Sequence, residues 1–335
     1  MSGCSCPERT YDQNEAVHQI GKDLKMQIIS DTTDFRIGEG TAVAIGKFDG
    51  LHLGHRKLLS EILRQKEDGL KAAVFTFDPS PEVFFGMNPA RELSTREEKR
   101  DLFREIGIDI LVEFPFNKKT AAISPEDFVI DILCGRMNAK FVAAGTDLSF
   151  GAMGKGNFTM LSSLARHLGF ETCKIDKIER NGKVISSTLI RSLVEEGNME
   201  EAAACLGAPY KISGKIVHGS ALGRRIGIPT LNQMPPTDKL LPPFGVYYSE
   251  VKADGKIFKG ITNIGIKPTV TNDKQVTVET SLYNFSGDLY GETAEVSLLT
   301  FRRPEIRFSG VAELKKTMEK DIRAGEIYHG LDQIR

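Results

Sequence analysis

Between residues 26 and 206, short apolar runs alternate with segments of helical period. TAVAIGKFDG (41–50) is an apolar strand running into a glycine-containing turn. HLGHRKLLSEILRQKEDG (52–69) carries Leu58, Leu59, Ile62 and Leu63 at helical spacing, with Gly69 as its stop. LKAAVFTFDPSP (70–81), IDILVEFPF (108–116) and AKFVAAGTDLSFG (139–151) repeat the strand pattern. Helices are predicted between them. STREEKRDLFREIG (94–107) opens with Ser94 and Glu97 at capping-box spacing, and SPEDFVIDILCGRM (124–137) has proline in its first turn. SSLARHLGF (162–170) and ETCKIDKIER (171–180) continue the alternation. Strands alternating with helices imply an α/β unit, a parallel sheet covered on both faces.

After about residue 206 the period becomes that of strands. KISGKIVHG, GVYYSEVKADGKIFKGITNIG, QVTVETSLYNF and TAEVSLLTFRR are β-rich runs separated by turns such as Asp254-Gly255 and Ser286-Gly287. They predict a closed antiparallel barrel or a sandwich. One helix follows, SGVAELKKTMEKDIRAG (309–325), with Ser309 at the cap position. IRSLVEEGNMEEAAACLG reads as a helical connector near 190–208. The expected units are therefore 26–206 and 207–335, and residues 1–25 read as a leader or tail, with Met26 as an alternative start.

Length agrees with two units, since 335 residues is about twice a usual domain. No apolar run approaches the roughly 20 residues of a membrane span. A net charge of −1 excludes a dedicated nucleic-acid binder, which is normally basic. That total is a cancellation: residues 1–206 carry 26 basic and 31 acidic side chains, and residues 207–335 carry 18 and 14. Each half can still hold phosphates locally. The five cysteines are odd in number and irregularly spaced, and the polar N-terminus lacks a secretory apolar stretch, so a reducing, cytoplasmic setting is expected. Cys4-x-Cys6 supplies only half of a tetrahedral zinc site.

The first chemical constellation is GKFDGLHLGH (46–55). His52 and His55 fall where a strand turns into a helix, and helix N-termini present free N–H groups to phosphate. Two imidazoles three residues apart lie on one side of that turn and can stabilise charge during attack on an α-phosphate. Gly46, Gly50 and Gly54 permit the turn and close approach, and Phe48 and Asp49 complete it as nucleotide-binding residues. ISSTLIR (185–191) supports the same chemistry, with Ser187 and Thr188 as phosphate donors and Arg191 facing a leaving pyrophosphate.

The second constellation is GKIVHGSALGRRIGIPTLN (214–232), glycine-rich and basic without a GxxxxGK[ST] pattern. Gly219, Gly223 and Gly227 allow a loop over phosphates, with Arg224 beside them. The hydroxyl of Thr230 and the side-chain carbonyl of Asn232 are hard oxygen ligands suited to Mg²⁺. Glu279, on the run QVTVETSLY, is a carboxylate able to accept a hydroxyl proton.

Together these motifs resemble the bacterial bifunctional riboflavin kinase/FAD synthetase family. VFTFDPSPEVFF, AAGTDLSFGAMGKGN, PTLN, NIGIKPTV, VETSLYNFSGDLYGE and FRRPEIRFSGVAELKKTMEKD occur in the family's order across about residues 26–335. The resemblance implies a Rossmann-like nucleotidylyltransferase unit followed by a kinase barrel. It implies riboflavin, FMN and ATP as substrates, FAD as product and Mg²⁺ as cofactor, without nucleic acid or membrane. It assigns ligand contacts to Asp78 and Asp147, the catalytic base to Glu279, and flavin-side positions to Arg302 and Phe308. Ser80 stands where the family usually has histidine, and Lys47 where asparagine is common. Two other readings stay open at this point: an adenylyltransferase for another phosphorylated metabolite, and a non-catalytic flavin-binding regulator. The oligomeric state, monomer or homo-oligomer, is likewise open.

Overall fold

The computed structural model describes residues 25–86, 91–219, 222–268 and 274–331. Cys4, Cys6 and the expected leader lie outside the described residues, apart from Lys25.

The N-terminal half is a six-stranded parallel sheet. Its strands are β1 (Gln27–Ser30), β2 (Thr41–Ile45), β3 (Lys71–Asp78), β4 (Ile110–Pro115), β5 (Ala139–Gly145) and β6 (Glu171–Ile175), in the order β1-β4-β3-β2-β5-β6. Residues 41–45 of β2 are buried throughout, as a parallel strand covered on both faces requires. One face packs Val43, Phe75, Val112 and Val142 against Phe128, Ile132 and Leu161. The other packs Ala42, Val74 and Leu111 against Leu58, Leu59 and Ile62 of the helix Leu53–Arg64. The chain leaves β2 in one direction and β5 in the other, so the sheet switches direction between them. Open α/β sheets bind ligands outside the strand ends at such a point.

The helix predicted from Ser94 and Glu97 is capped one residue later. It spans Arg96–Ile106, and its reciprocal box joins Thr95 and Glu98. Both pairs have the required spacing, and the second prevails because Glu98 also finds partners in the C-terminal half. The helix expected over 124–137 begins as Pro125–Asp127 and widens into a π-helix over Phe128–Arg136.

A small hairpin, β7 (Glu179–Arg180) and β8 (Lys183–Val184), leads to the helices Ser187–Glu195 and Met199–Leu206. The C-terminal half is a closed antiparallel barrel. Its strands are β9 (Tyr210–Val217), β10 (Leu231–Gln233), β11 (Gly245–Ala253), β12 (Lys256–Pro268), β13 (Lys274–Leu282) and β14 (Thr293–Pro304), ordered β10-β13-β12-β11-β14-β9. The three-residue β10 pairs with both β13 and β9 and closes the barrel. Ile190, Val194, Met199, Ala202 and Leu206 of the connecting helices are buried in one core with Tyr247, Val251, Val296 and Leu298 of the barrel. The last helix spans Val311–Tyr328, and Ser309 is not its cap. Gly310 occupies that position, and Glu313 reaches back to accept from the Ser309 amide and hydroxyl at 2.8 and 2.6 Å.

Candidate active sites

The first site forms where β2 meets the helix Leu53–Arg64. His52 is the N-cap, and its Nδ1 accepts from the His55 amide at 3.3 Å. That bond leaves the ring proton on Nε2, so His52 can donate outward. The two rings stack with centroids 3.8 Å apart and an interplanar angle of 19°. Burial pushes the His52 imidazole down to about 4, partly offset by Asp49 and Asp147. Burial, with His52 alongside, holds His55 well below the usual histidine range. Both are neutral at pH 7, and the buried His55 Nδ1 has no hydrogen-bond partner among the described residues. Neutral N–H donors are thus stacked at a helix N-terminus, where developing negative charge is favoured.

The surrounding loop departs from its expected contacts. Phe48 is completely buried, with its ring 5.1 Å from His55, so it supports that ring and cannot touch a ligand. Asp49 is a junction rather than an open ligand group. Its Oδ1 accepts from the Leu93 and Ser94 amides at 2.8 and 3.2 Å, and its Oδ2 from Arg191 at 2.6 Å. Ser187 donates to the Asp49 carbonyl at 2.8 Å, tying the two motifs together, while Thr188 is exposed. Arg191 also donates to the Arg91 carbonyl. Gly50, at φ +82°, lies so close to Leu93 that an added Cβ would sit 2.9 Å from its side chain. Gly46 precedes this turn and Gly54 is the second residue of the helix.

Asp147 follows β5 across the switch point, exposed and paired with Lys177 at 3.2 Å. Asp78 pairs with Arg96 at 3.0 Å. Ser80 has a local role: it is the N-cap of the short helix Pro81–Phe84, accepting from the Val83 amide at 3.5 Å. Beside them lies a cavity of about 320 Å³ whose aromatic wall includes Phe77, Phe85, Phe116, Phe128 and Phe150. Lys47 and Glu82 pair at its rim. Phe77 and Phe85 stand in the quoted FDPSPEVFF segment, but the apolar cavity needs Phe116 just past β4, Phe128 at the start of the π-helix and Phe150 in the loop after β5.

The second site is a cavity of about 260 Å³ in the barrel wall. Strand register creates it. Asn232 of β10 lies directly opposite Glu279 of β13, which lies opposite Asn263 of β12. Thr230, Asn232, Asn263 and Glu279 all line the cavity, with Gly223 at its edge. Thr277 donates to Glu279 at 3.5 Å. Below this row, the hydroxyls of Ser249, Thr262 and Thr280 form a buried chain with 2.7 Å links. Gly219 lies against Asn232, and an added Cβ would meet that side chain at 2.5 Å. Gly227 adopts φ +84° in the open and does not line the cavity. The backbone of Arg224 belongs to the short helix Leu222–Arg225, and its side chain is outside the described residues.

Phe308, Leu314, Met318 and Ile322 supply an apolar wall. Arg302 is exposed and outside the lining; Arg303 lines the cavity instead, clamped by Asp321 at 2.6 Å. Successive strand residues face opposite sides, so a shift of one residue exchanges the two arginines.

Two family models match the chain: FAD synthetase over residues 21–189 and riboflavin kinase over 206–328. A bifunctional riboflavin kinase/FMN adenylyltransferase from Listeria monocytogenes is 36% identical over 87% of this chain and 93% of that protein. The chain belongs to the bifunctional riboflavin kinase/FMN adenylyltransferase family. The Escherichia coli protein of the same name is 36% identical, covering 88% of this chain and 94% of its own. A solved structure described as a macrolide-efflux protein from Streptococcus pneumoniae superimposes with a TM-score of 0.77 at 28% identity, covering 88% and 97% of the two chains. Among the described residues no helix is long and apolar enough to cross a membrane.

The stacked histidines thus belong to the half matched by FAD synthetase, and the Asn232–Glu279 row to the half matched by riboflavin kinase. In the kinase half, sequence reasoning missed Asn263, Arg303 and Asp321. Asn263 lies two residues before Gly265 in the quoted NIGIKPTV run, and Arg303 and Asp321 stand in FRRPEIRFSGVAELKKTMEKD; the motifs mark the segments, but only register and helix docking select the residues.

Proposed function

We propose that the kinase barrel, residues 207–335, transfers the γ-phosphoryl group of ATP to the 5′-hydroxyl of riboflavin, yielding FMN and ADP. The sheet unit, residues 26–206, then transfers AMP from a second ATP to the FMN phosphate, yielding FAD and pyrophosphate. The observation that carries this reading is the presence in one chain of two assembled sites: stacked His52 and His55 at the sheet's switch point, and Asn232 facing Glu279 in the barrel.

In the barrel, Glu279 accepts the riboflavin hydroxyl proton and the apolar wall from Phe308 to Ile322 holds the flavin ring. Thr230 and Asn232 offer neutral oxygens beside the Glu279 carboxylate, a donor set that fits Mg²⁺ arriving with nucleotide phosphates. Bound there, the ion would offset phosphate charge. Gly219 and Gly223, close against Asn232 and Thr230, leave room for the same phosphates.

In the sheet unit, His52, His55 and the helix N-terminus stabilise the charge that develops on the α-phosphate. Arg191, oriented by Asp49, faces the departing pyrophosphate. The aromatic cavity beside Lys47 is the FMN ring site, and Asp147 reaches the nucleotide from the far side of the switch point. Asp78, fixed by Arg96, borders the flavin side. A cytoplasmic setting, where ATP is present, suits both reactions.

The test is incubation of the full chain with riboflavin, ATP and Mg²⁺, with flavins resolved by chromatography. FMN should appear first and FAD after it. FMN alone would implicate Ser80 in a weakened second step. Neither product would leave a flavin-binding protein without catalysis.

A further inference from the structure

The segment that holds the sheet-unit site is also contacted from the kinase half. Residues 91–95 form a short irregular segment, bent at Leu93 and Ser94, with the catalytic loop on one edge and the kinase half on the other. On the first edge, Asp49 accepts from the Leu93 and Ser94 amides, and Arg191 donates to the Arg91 carbonyl. On the second, the Glu92 amide donates to the Asp238 carbonyl at 2.6 Å, and the Leu240 amide to the Glu92 carbonyl at 2.8 Å.

Between these two backbone bonds stands Lys239, which has 2% of its surface exposed. Its ammonium donates to the Leu93 carbonyl at 2.7 Å and to Glu98 Oε2 at 2.6 Å, and lies 4.4 Å from the centre of the Tyr210 ring. Glu98 is fully engaged as well. Its Oε2 also accepts from the Thr95 amide, and its Oε1 from the Ser213 amide of the barrel, both at 3.0 Å. A buried ammonium is a costly tether unless its bonds are well made, and here the partners are a carboxylate, a carbonyl and an aromatic face.

We propose that Lys239 of the kinase half is a positioning residue for adenylyl transfer: by gripping the Leu93 carbonyl it fixes the segment whose amides orient Asp49, and through Asp49 it sets Arg191. Lys239 does not touch substrate. Its influence passes along three contacts, from Lys239 to Leu93 to Asp49 to Arg191, with Glu98 locking the near end. Displacement of this segment releases two of the three donors that hold the Asp49 carboxylate. The inference rests on the reading of the His52, His55 and Arg191 site given above.

Two variants of the full chain test it. K239M keeps the apolar stem and removes the ammonium. E98Q/K239M also removes the carboxylate charge that K239M leaves stranded, while still lacking the grip on Leu93. FAD formation from FMN and ATP should fall about 100-fold in kcat in both variants, with the KM for FMN little changed, since misplacement of about an ångström carries such a cost. FMN formation from riboflavin by the same preparations should match the unaltered protein and reports that the barrel is folded. Thermal melts identify any unfolding of K239M, in which case the double variant decides. Full recovery of FAD formation in E98Q/K239M would overturn the proposal, because Lys239 would then only balance a buried charge. Unaltered FAD formation in K239M would overturn it too. H52A, assayed in parallel, separates the two readings. If H52A abolishes FAD formation and the Lys239 variants do not, only this inference fails; if H52A is fully active, the site reading fails first.

Discussion

The two sites are built by opposite means. The barrel site is a consequence of register: Asn232, Glu279 and Asn263 face one another because β10, β13 and β12 pair as they do. Each side chain is placed by a continuous hydrogen-bonded ladder. The sheet site is a consequence of tethers. His52 and His55 sit on one helix end, Arg191 on another, and Asp49 joins them across 142 residues of sequence. A ladder averages its errors over many bonds, whereas a tether passes on whatever happens at its far end. Substitutions at the barrel site should therefore act only where they touch chemistry, while the sheet site should also respond to changes outside its own cavity.

The largest effect, and the first way to break this contrast, is expected at Glu279. Glu279→Gln removes the carboxylate proposed to accept the proton, and riboflavin phosphorylation should fall by about 10²–10⁴. Conversion of supplied FMN to FAD should continue at the original rate. A parallel loss of both activities would show that the sites are not independent.

Next in size is His52→Ala, which deletes one donor and the cap of its helix. FAD formation should fall by about 10²–10³, while FMN accumulates from riboflavin. Rapid-quench or chromatographic assays of each half-reaction measure this, and an undiminished FAD rate is the outcome that counts against the assignment.

The smallest effect concerns stability and sharpens the difference in electrostatics. His52 titrates at about 4 when folded, against 6.5 for an ordinary imidazole. From pH 6.5 down to about 4 the unfolded chain therefore binds a proton that the folded chain does not, and stability declines as pH falls. The decline amounts to at most about 3 kcal/mol for this residue, and stability is flat in this term above pH 6.5. Denaturant titrations of the native protein and His52→Gln across that window should show a shallower slope in the variant. Identical slopes would mean that the buried imidazole is already charged.

Much of the fold was legible because each half keeps one rule, strands alternating with helices in the first and strands alone in most of the second. The apolar runs of β2 and β5 and the alternation of the later strands point to a parallel sheet followed by an antiparallel barrel, and both are present. Barrel rather than sandwich was settled by β10, three residues long and silent in any periodicity. The motifs located both sites, but not the job of each side chain. Phe48 reads as a loop residue and is wholly buried, because φ of +52° turns it beneath His55. Ser94 and Thr95 offer equal capping signals, and only Lys239 and Ser213, more than 110 residues away, decide for Glu98. Lys239 itself, in the run PPTDKLLPPF, looks like a solvent lysine. Its burial arises where two separately legible halves meet, and neither pattern contains that meeting.

The connecting helices carry a last consequence. The helix Ser187–Glu195 gives Arg191 to the sheet site while its Ile190, Leu193 and Val194 lie in the barrel's core. Scissors therefore find no clean place on this chain. A fragment ending before Ser187 loses Arg191 and its bond to Asp49, and one ending after Leu206 carries a bare greasy face into water. The halves can be silenced one at a time by point substitution, yet dissecting them into two working pieces would require repainting that face with polar side chains first.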